Sequence, residues 1–403
     1  MYFRNLSLVV VALISLGVGS VTRGADHGIQ KARPSFERLV VVGDSLSAGF
    51  QNFSLYDSLS VPGAPLGGQT RGYPALIAKQ AGVALTLPRI SFPGIPAALA
   101  LTPGGIVRLP GIGSRINPAE QVTNLSVPGF LVADVLSRPF PGNPAANLID
   151  ALSDVILGSP GAIPGCGPFP VQNGVLIVSQ VTCAAALNPT AILVSIGNND
   201  ALQALTLGAP PTDTASFSSN LHQLLSRLRA TNARIVMANI PDVTEIPFLL
   251  SVPAFMAQCG FAPAGGSNSD YVVPDITNPL LTNINVCVNY SVRPAALVLS
   301  AKVAVERFNR IIEDAAEQYD VEVVDVNGLF SDISKKGYTV GGQKLTTNFL
   351  GGIFSLDGIH PTNTGHAILA NLFIKAMNSH LGAAIPPVSV EQVAKTDPLA
   401  PRR

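Results

Sequence analysis

Tryptophan is absent from the 403 residues, aromatic residues make up only 6%, and charged residues only 12%. Each shortage excludes something. Few aromatic rings and no indole speak against a sugar-stacking surface. Basic and acidic residues number 25 each, so the net charge is zero and no whole-molecule field draws the chain toward nucleic acid or an anionic membrane. Cysteine is scarce, at four residues, and none has the Cys-x2-Cys spacing of a zinc site, so no metal is expected. Beyond the first residues no stretch reaches about 18 uninterrupted apolar residues, so no integral membrane span is expected.

What is abundant is apolar and turn-forming: 47% hydrophobic residues, 33 Pro and 37 Gly. Part of the apolar excess lies at the N-terminus, where Arg4 precedes an apolar run over residues 6–18 and small residues follow through Ser20 and Gly24. Residues 1–24 therefore read as a signal peptide, which predicts a secreted or periplasmic protein; the alternative is an uncleaved N-terminal anchor. The first cysteine is Cys166, so no lipid-anchored cysteine sits at the processing site. In an oxidising compartment four cysteines form two disulfides, with three possible connectivities. The nearest pairings are Cys166 with Cys183 and Cys259 with Cys287.

Residues 38–43 (Arg-Leu-Val-Val-Val-Gly) form a continuous apolar run of the kind buried on both faces of a parallel sheet. Residues 121–127, 191–196, 233–240 and 321–326 are similar. Helical periodicity separates several of them, notably over 216–229, with Leu221, Leu224, Leu225 and Leu228, and over 296–319. Alternating strands and helices predict a doubly wound, three-layer α/β fold. The connections 51–117, 139–188 and 247–293 are long and rich in Pro and Gly, and are read as insertions on one domain over 36–383. Residues 384–403 are expected to be a disordered tail.

The first strand ends in Gly43-Asp44-Ser45-Leu46, which places a serine at the carboxyl edge of a parallel strand, before a helix start. Such a serine can attack a carbonyl while its own N–H helps to hold the oxyanion; it can also be only a helix cap. Three further segments line the same edge. Gly129 ends the second strand, and its lack of a side chain lets the backbone approach a ligand. Gly197-Asn198-Asn199-Asp200 ends the third, and Asn199 offers an uncharged donor. Near the C-terminus, Asp357-Gly-Ile-His360 holds a carboxylate three residues before an imidazole, on a turn able to fold one onto the other.

These four ordered blocks resemble the SGNH (GDSL) hydrolase family, and its bacterial secreted esterases and lipases in particular. Ser45 matches the nucleophile block, Gly129 the oxyanion glycine, Asn199 the Gly-x-Asn-Asp block, and Asp357 with His360 the final block. The resemblance covers about residues 38–380 and stops helping in the insertions. It implies a flavodoxin-like α/β/α sandwich with a mostly parallel five-stranded sheet. It also implies a serine esterase or lipase: Ser45, His360 and Asp357 as a triad, Ser45, Gly129 and Asn199 as the oxyanion hole, and no cofactor. The Gly-x-Ser-x-Gly elbow of α/β-hydrolases is missing, since Ser47 stands at its fifth position. The expected partner is a small-molecule or lipid ester, because the segment 85–113 is apolar and suits acyl chains if it lies at the mouth of the site. The alternatives are a carbohydrate O-deacetylase with the same triad and a non-catalytic secreted binding module. His366 is expected to be a structural helix residue.

Overall fold

The computed structural model describes residues 36–57, 67–139, 147–158, 171–172, 175–278 and 280–401. The expected signal peptide and Cys166 lie outside them. Four strands form the central sheet: β1 (Leu39–Gly43), β2 (Ala191–Ser195), β3 (Arg234–Ala238) and β4 (Glu322–Val324). They lie in that order and every pair is parallel, with Leu39 opposite Ala191, Ala191 opposite Arg234 and Glu322 opposite Val236. The expected strand over 121–127 lies on the outer side of β1. The N–H of Val41 donates to Thr123, and Leu125 and Val127 donate back to Val41 and Gly43. Only Val41 and Asn124 form a bridge there, so the fifth position is a bonded segment rather than a full strand. Gln180 provides the reason: its side chain takes the Gly43 N–H at 2.8 Å, the donor that would otherwise extend the ladder to Leu125.

The helices are α1 (Ser45–Ala48), α2 (Tyr73–Ala81), α3 (Val132–Leu136), α4 (Leu148–Leu157), α5 (Gln180–Ala186), α6 (Asn198–Thr206), α7 (Thr214–Arg229), α8 (Val252–Cys259), α9 (Ala295–Tyr319), α10 (Val326–Lys336), α11 (Asn363–His380) and α12 (Val390–Thr396). Successive strand side chains point to opposite faces, and here they divide between two separate cores. Val40, Val42, Ile192 and Val194 pack with α3, α5, α6, α7 and α9. Leu39, Val41, Ala191 and Leu193 pack with α2, α10, α11 and α12. An all-apolar run such as Leu-Val-Val-Val is stable only where both faces are covered, each large side chain contributing about 1.5–3 kcal/mol. The result is the three-layer α/β/α sandwich.

The insertions are more structured than their composition suggests. A hairpin of Leu99–Thr102 and Gly105–Arg108 in the first is joined by Asn283–Ile284 of the third, making one small sheet from two loops distant in sequence. The third insertion also has a small core of Val252, Phe255 and Val272, which its Pro/Gly-rich sequence did not suggest. Cys259 and Cys287 are disulfide-bonded as expected. Cys183 is disulfide-bonded too, while the Cys166–Cys183 pairing lies outside the described residues at its Cys166 end. No described helix is long and apolar enough to cross a membrane.

The tail departs from expectation. Residues 384–401 are not loose: Ile385, Val388 and Val393 join the second core, and α12 forms there with Ser389 as its cap. The anchor is Asp397, 2% exposed, whose carboxylate accepts from Thr364 N–H at 2.8 Å and from the Thr364 hydroxyl at 2.7 Å. Helix starts leave N–H groups unsatisfied, and α11 recruits a residue 33 positions downstream for this role. Composition alone does not reveal such a long-range cap. Asp397→Ala should therefore cost about 1–2 kcal/mol in urea unfolding; an unchanged midpoint would show that the tail contributes nothing to α11.

Candidate active site

Parallel strands bring their carboxyl ends to one edge, where ligands of such sheets bind. At that edge β1 runs through Gly43 into α1, whose first residue is Ser45 and whose N-cap is Asp44. Gly43 is required by close packing, since a Cβ there would stand 2.3 Å from the Ser195 carbonyl oxygen. Its peptide is also clamped by the buried Gln180, which accepts from Gly43 N–H at 2.8 Å and donates to Gly43 O at 2.9 Å. Nothing in the sequence links Gln180 to this strand.

Asp44 accepts from Leu46 N–H at 3.1 Å and from the Asn198 amide at 2.8 Å. Burial pushes its carboxyl up to about 6, against the pull of Asn198, Leu46 and the nearby His360. Asp200 accepts from Val132 N–H at 3.0 Å and so ties α6 to the start of α3. Burial raises it likewise to about 6, with the Thr212 hydroxyl and Val132 N–H opposing. Both aspartates hold turns around Ser45 and Asn199.

Gly129 has φ +87°, a conformation that favours glycine, and a Cβ there would meet Ile149 at 2.8 Å. The Asn199 amide donates to the Phe130 carbonyl at 3.0 Å, which holds it beside Gly129. An amide nitrogen carries two hydrogens, so one bond remains available for a ligand.

The turn before α11 folds as the spacing suggested. Asp357 Oδ2 lies 2.9 Å from His360 Nδ1, and Oδ1 accepts from the N–H groups of Ile359 and His360 at 2.8 and 2.9 Å. A further bond comes from far away in sequence: Phe53 N–H donates to Oδ2 at 2.6 Å. Burial alone would raise the Asp357 carboxyl, but the His360 charge and these hydrogen bonds outweigh it and hold it below the usual range. His360 packs edge-on against Phe50, centroids 4.9 Å apart, and with Nδ1 engaged its Nε2 is the nitrogen left for chemistry.

Ser45, Gly129, Asn199 and His360 line one cleft with about 340 Å³ of space, while Asp357 stands behind His360. The walls are mainly apolar, with Phe50 and Phe53 joined by Leu148, Ile149 and Leu152 of α4, while the ion-paired Asp134 and Arg138 and the polar Gln203, Thr206 and Thr277 also line them. The segment 85–113 contributes none of this lining; Leu101 and Ile106 face a separate cavity instead. Phe53 apart, the inserted part of the apolar wall therefore comes from the second insertion rather than from segment 85–113, whose hairpin 99–108 pairs with 283–284 instead. His366 is fully buried and accepts from Tyr73 N–H at 3.3 Å, and burial drives it down to about 3, so it is a neutral structural residue.

Residues 39–373 match the family model of the GDSL-like Lipase/Acylhydrolase. None of the curated proteins matches the chain. Among solved structures, an acetyl xylan esterase from Geobacillus stearothermophilus is 15% identical, with 88% of this chain and 99% of that one covered and a TM-score of 0.39. A lipase/acylhydrolase from Enterococcus faecalis is 11% identical, with 87% and 100% covered and a TM-score of 0.37.

The raised Asp200 carboxyl has a consequence for stability. The fold favours its protonated form, so this contribution is fully present below about pH 4 and lost as pH rises through about 6. A rise from 3.8 to about 6 corresponds to about 3 kcal/mol at most. Asp200→Asn mimics the protonated group and should be more favourable relative to the parent at pH 8 than at pH 4 in urea unfolding. An equal difference at the two pH values would show that Asp200 is not the group responsible.

Proposed function

Because this chain belongs to the GDSL-like lipase/acylhydrolase family and is a carboxylic ester hydrolase, we propose that it works through an acyl-enzyme on Ser45, with His360 as base and Asp357 as its orienting carboxylate. His360 Nε2 takes the Ser45 proton as Oγ attacks the ester carbonyl, and Asp357 stabilises the imidazolium so formed. Collapse of the tetrahedral intermediate expels the alcohol, protonated by His360, and leaves the acyl group on Ser45. Water then attacks with His360 again as base. Ser45 N–H, Gly129 N–H and the Asn199 amide stabilise the oxyanion in both steps. The observation that carries this reading is the bonded Asp357–His360 pair, set beside a cleft that Ser45, Gly129, Asn199 and His360 line together.

The apolar lining favours an ester with a hydrocarbon acyl chain, from a lipid or a small molecule, over a decorated polysaccharide. Leu148, Ile149 and Leu152 offer a chain dispersion contacts and removal from water, but few groups for hydroxyls. Export also belongs to this proposal: residues 1–24 are removed as a signal peptide, and the Cys259–Cys287 disulfide supports an oxidising destination, secreted or periplasmic. The hydrolase domain covers 36–383, with the tail packed onto it.

Ser45→Ala should abolish labelling by a serine-directed phosphonate and lower turnover by several orders of magnitude with the melting curve unchanged; labelling retained at full stoichiometry would sink the acyl-enzyme. Asn199→Ala should lower kcat by roughly 10²- to 10³-fold, about 3–4 kcal/mol, with little change in KM. A drop in melting temperature with kcat preserved would make Asn199 a packing residue. A panel of chromogenic esters of increasing chain length, with an acetylated sugar included, checks the substrate class, and preference for the sugar would overturn the acyl-chain reading.

A further inference from the structure

Residues Gln51 to Ser54 form a two-residue hairpin turn: Gln51 and Ser54 exchange backbone hydrogen bonds of 3.0 and 2.9 Å, and the central pair Asn52 and Phe53 have φ of +51° and +54°. Two positive φ values in a row are the type I′ pattern, for which Asn-Gly is the ordinary pair. Asparagine tolerates this conformation. A phenylalanine in glycine's place does not adopt it without strain, and strain of this kind persists where the surroundings over-determine it, often at functional sites.

The Asn52 carbonyl accepts from Leu99 N–H at 2.9 Å, and most of the turn's other contacts lead to the base. Asn52 N–H donates to the Ser355 hydroxyl at 3.0 Å, its side-chain oxygen accepts from Leu356 N–H at 3.1 Å, and its amide donates to the Tyr56 hydroxyl at 3.2 Å. The turn is thereby fastened to the two residues that precede Asp357. Phe53 N–H then reaches Asp357 Oδ2, the same oxygen that bonds His360 Nδ1. The Phe53 ring meets Phe50 edge-on at 5.9 Å, and Phe50 in turn meets His360. Over the other side lies Arg108, its guanidinium 5.5 Å from the ring centroid and held by the carbonyls of Ala97 and Ile276. The inserted hairpin thus holds the strained residue in place from outside.

We propose that the Gln51–Ser54 turn is a positioning device for the catalytic base, in which Asn52 fastens the turn to the Asp357 loop and Phe53 delivers its N–H to the Asp357 carboxylate. The proposal rests on the triad reading above. Asn52 and Phe53 act through Asp357 and are positioning residues, with the Phe53 ring also walling the cleft. Removing the Phe53 N–H leaves more of the Oδ2 charge directed at the imidazole, which favours the imidazolium and makes His360 more basic. Asp44 and His366 also feel the His360 charge, and the variants below leave both in place.

The test is steady-state kinetics on a short acyl ester across pH, with melting curves. Asn52→Ala loses the side-chain bonds and disfavours positive φ, so the turn should relax. Its kcat should fall roughly 10- to 100-fold with KM within about twofold, and the acid limb of kcat/KM should move to higher pH by about half a unit or more. Phe53→Gly keeps the N–H and suits the turn, so its acid limb should stay in place while KM rises through loss of the cleft wall. If Asn52→Ala does not fold, Asn52→Gly, which accepts positive φ and loses only the side-chain bonds, should show the same shift in smaller measure. Parental kcat and acid limb in a folded Asn52 variant would overturn the proposal, as would an equal shift in Phe53→Gly. Ser45→Ala and His360→Ala judge the triad separately: activity retained there removes the triad and this role together, whereas activity lost there with an unaltered Asn52 variant removes this role alone.

Discussion

A carboxylate shut away from water stays ionised only if hydrogen bonds and an opposing charge replace its hydration, and Asp357 is such a group. Its side chain is fully buried, yet it accepts from Phe53, Ile359 and His360 backbone N–H groups as well as from the His360 ring. Losing one of these donors would leave a buried charge under-compensated, at a cost of about 1–3 kcal/mol. The loop from Ser355 to His360 is therefore fixed from within its own turn and from the distant Phe53. His360 inherits its orientation from that carboxylate, and through His360 the geometry of the whole cleft is set.

The parallel sheet makes this possible by gathering segments that are remote in sequence. Because β1, β2 and the 123–127 segment all point the same way, the residues that follow them, Ser45, Asn199 and Gly129, emerge at one edge. Buried aspartates then join neighbouring turns: Asp44 to Asn198, Asp200 to Val132. Both carboxyls rise to about 6 as the consequence of that burial. Stability is given up locally so that the loops around Ser45 have little freedom.

The insertions divide the remaining work. Helix α4 of the second supplies Ile149 and its neighbours as an apolar wall beside Gly129. The first and third pair into a small sheet whose Arg108 presses on Phe53. Gly358, at φ +69°, packs against the Phe248 backbone of the third insertion, where a Cβ would come within 2.8 Å. These loops form part of the frame that holds His360 and shapes the cleft.

The sequence by itself determined the layer architecture, because Leu-Val-Val-Val and its counterparts can be stable only as strands covered on two faces. It also determined the Asp357–His360 contact, because three residues of spacing on a turn bring those side chains together locally. Ser45, Gly129 and Asn199 were legible as candidates from the ends of the strands. Tertiary structure decided what depends on long-range pairing. Gln180 on Gly43, Asp397 on α11 and Phe53 on Asp357 join positions that no periodicity or spacing connects, and the apolar wall beside Gly129 came from α4 rather than from the apolar segment 85–113. Composition could not distinguish those two apolar segments, since which of them reaches the cleft depends on where the hairpin 99–108 finds its partner strand.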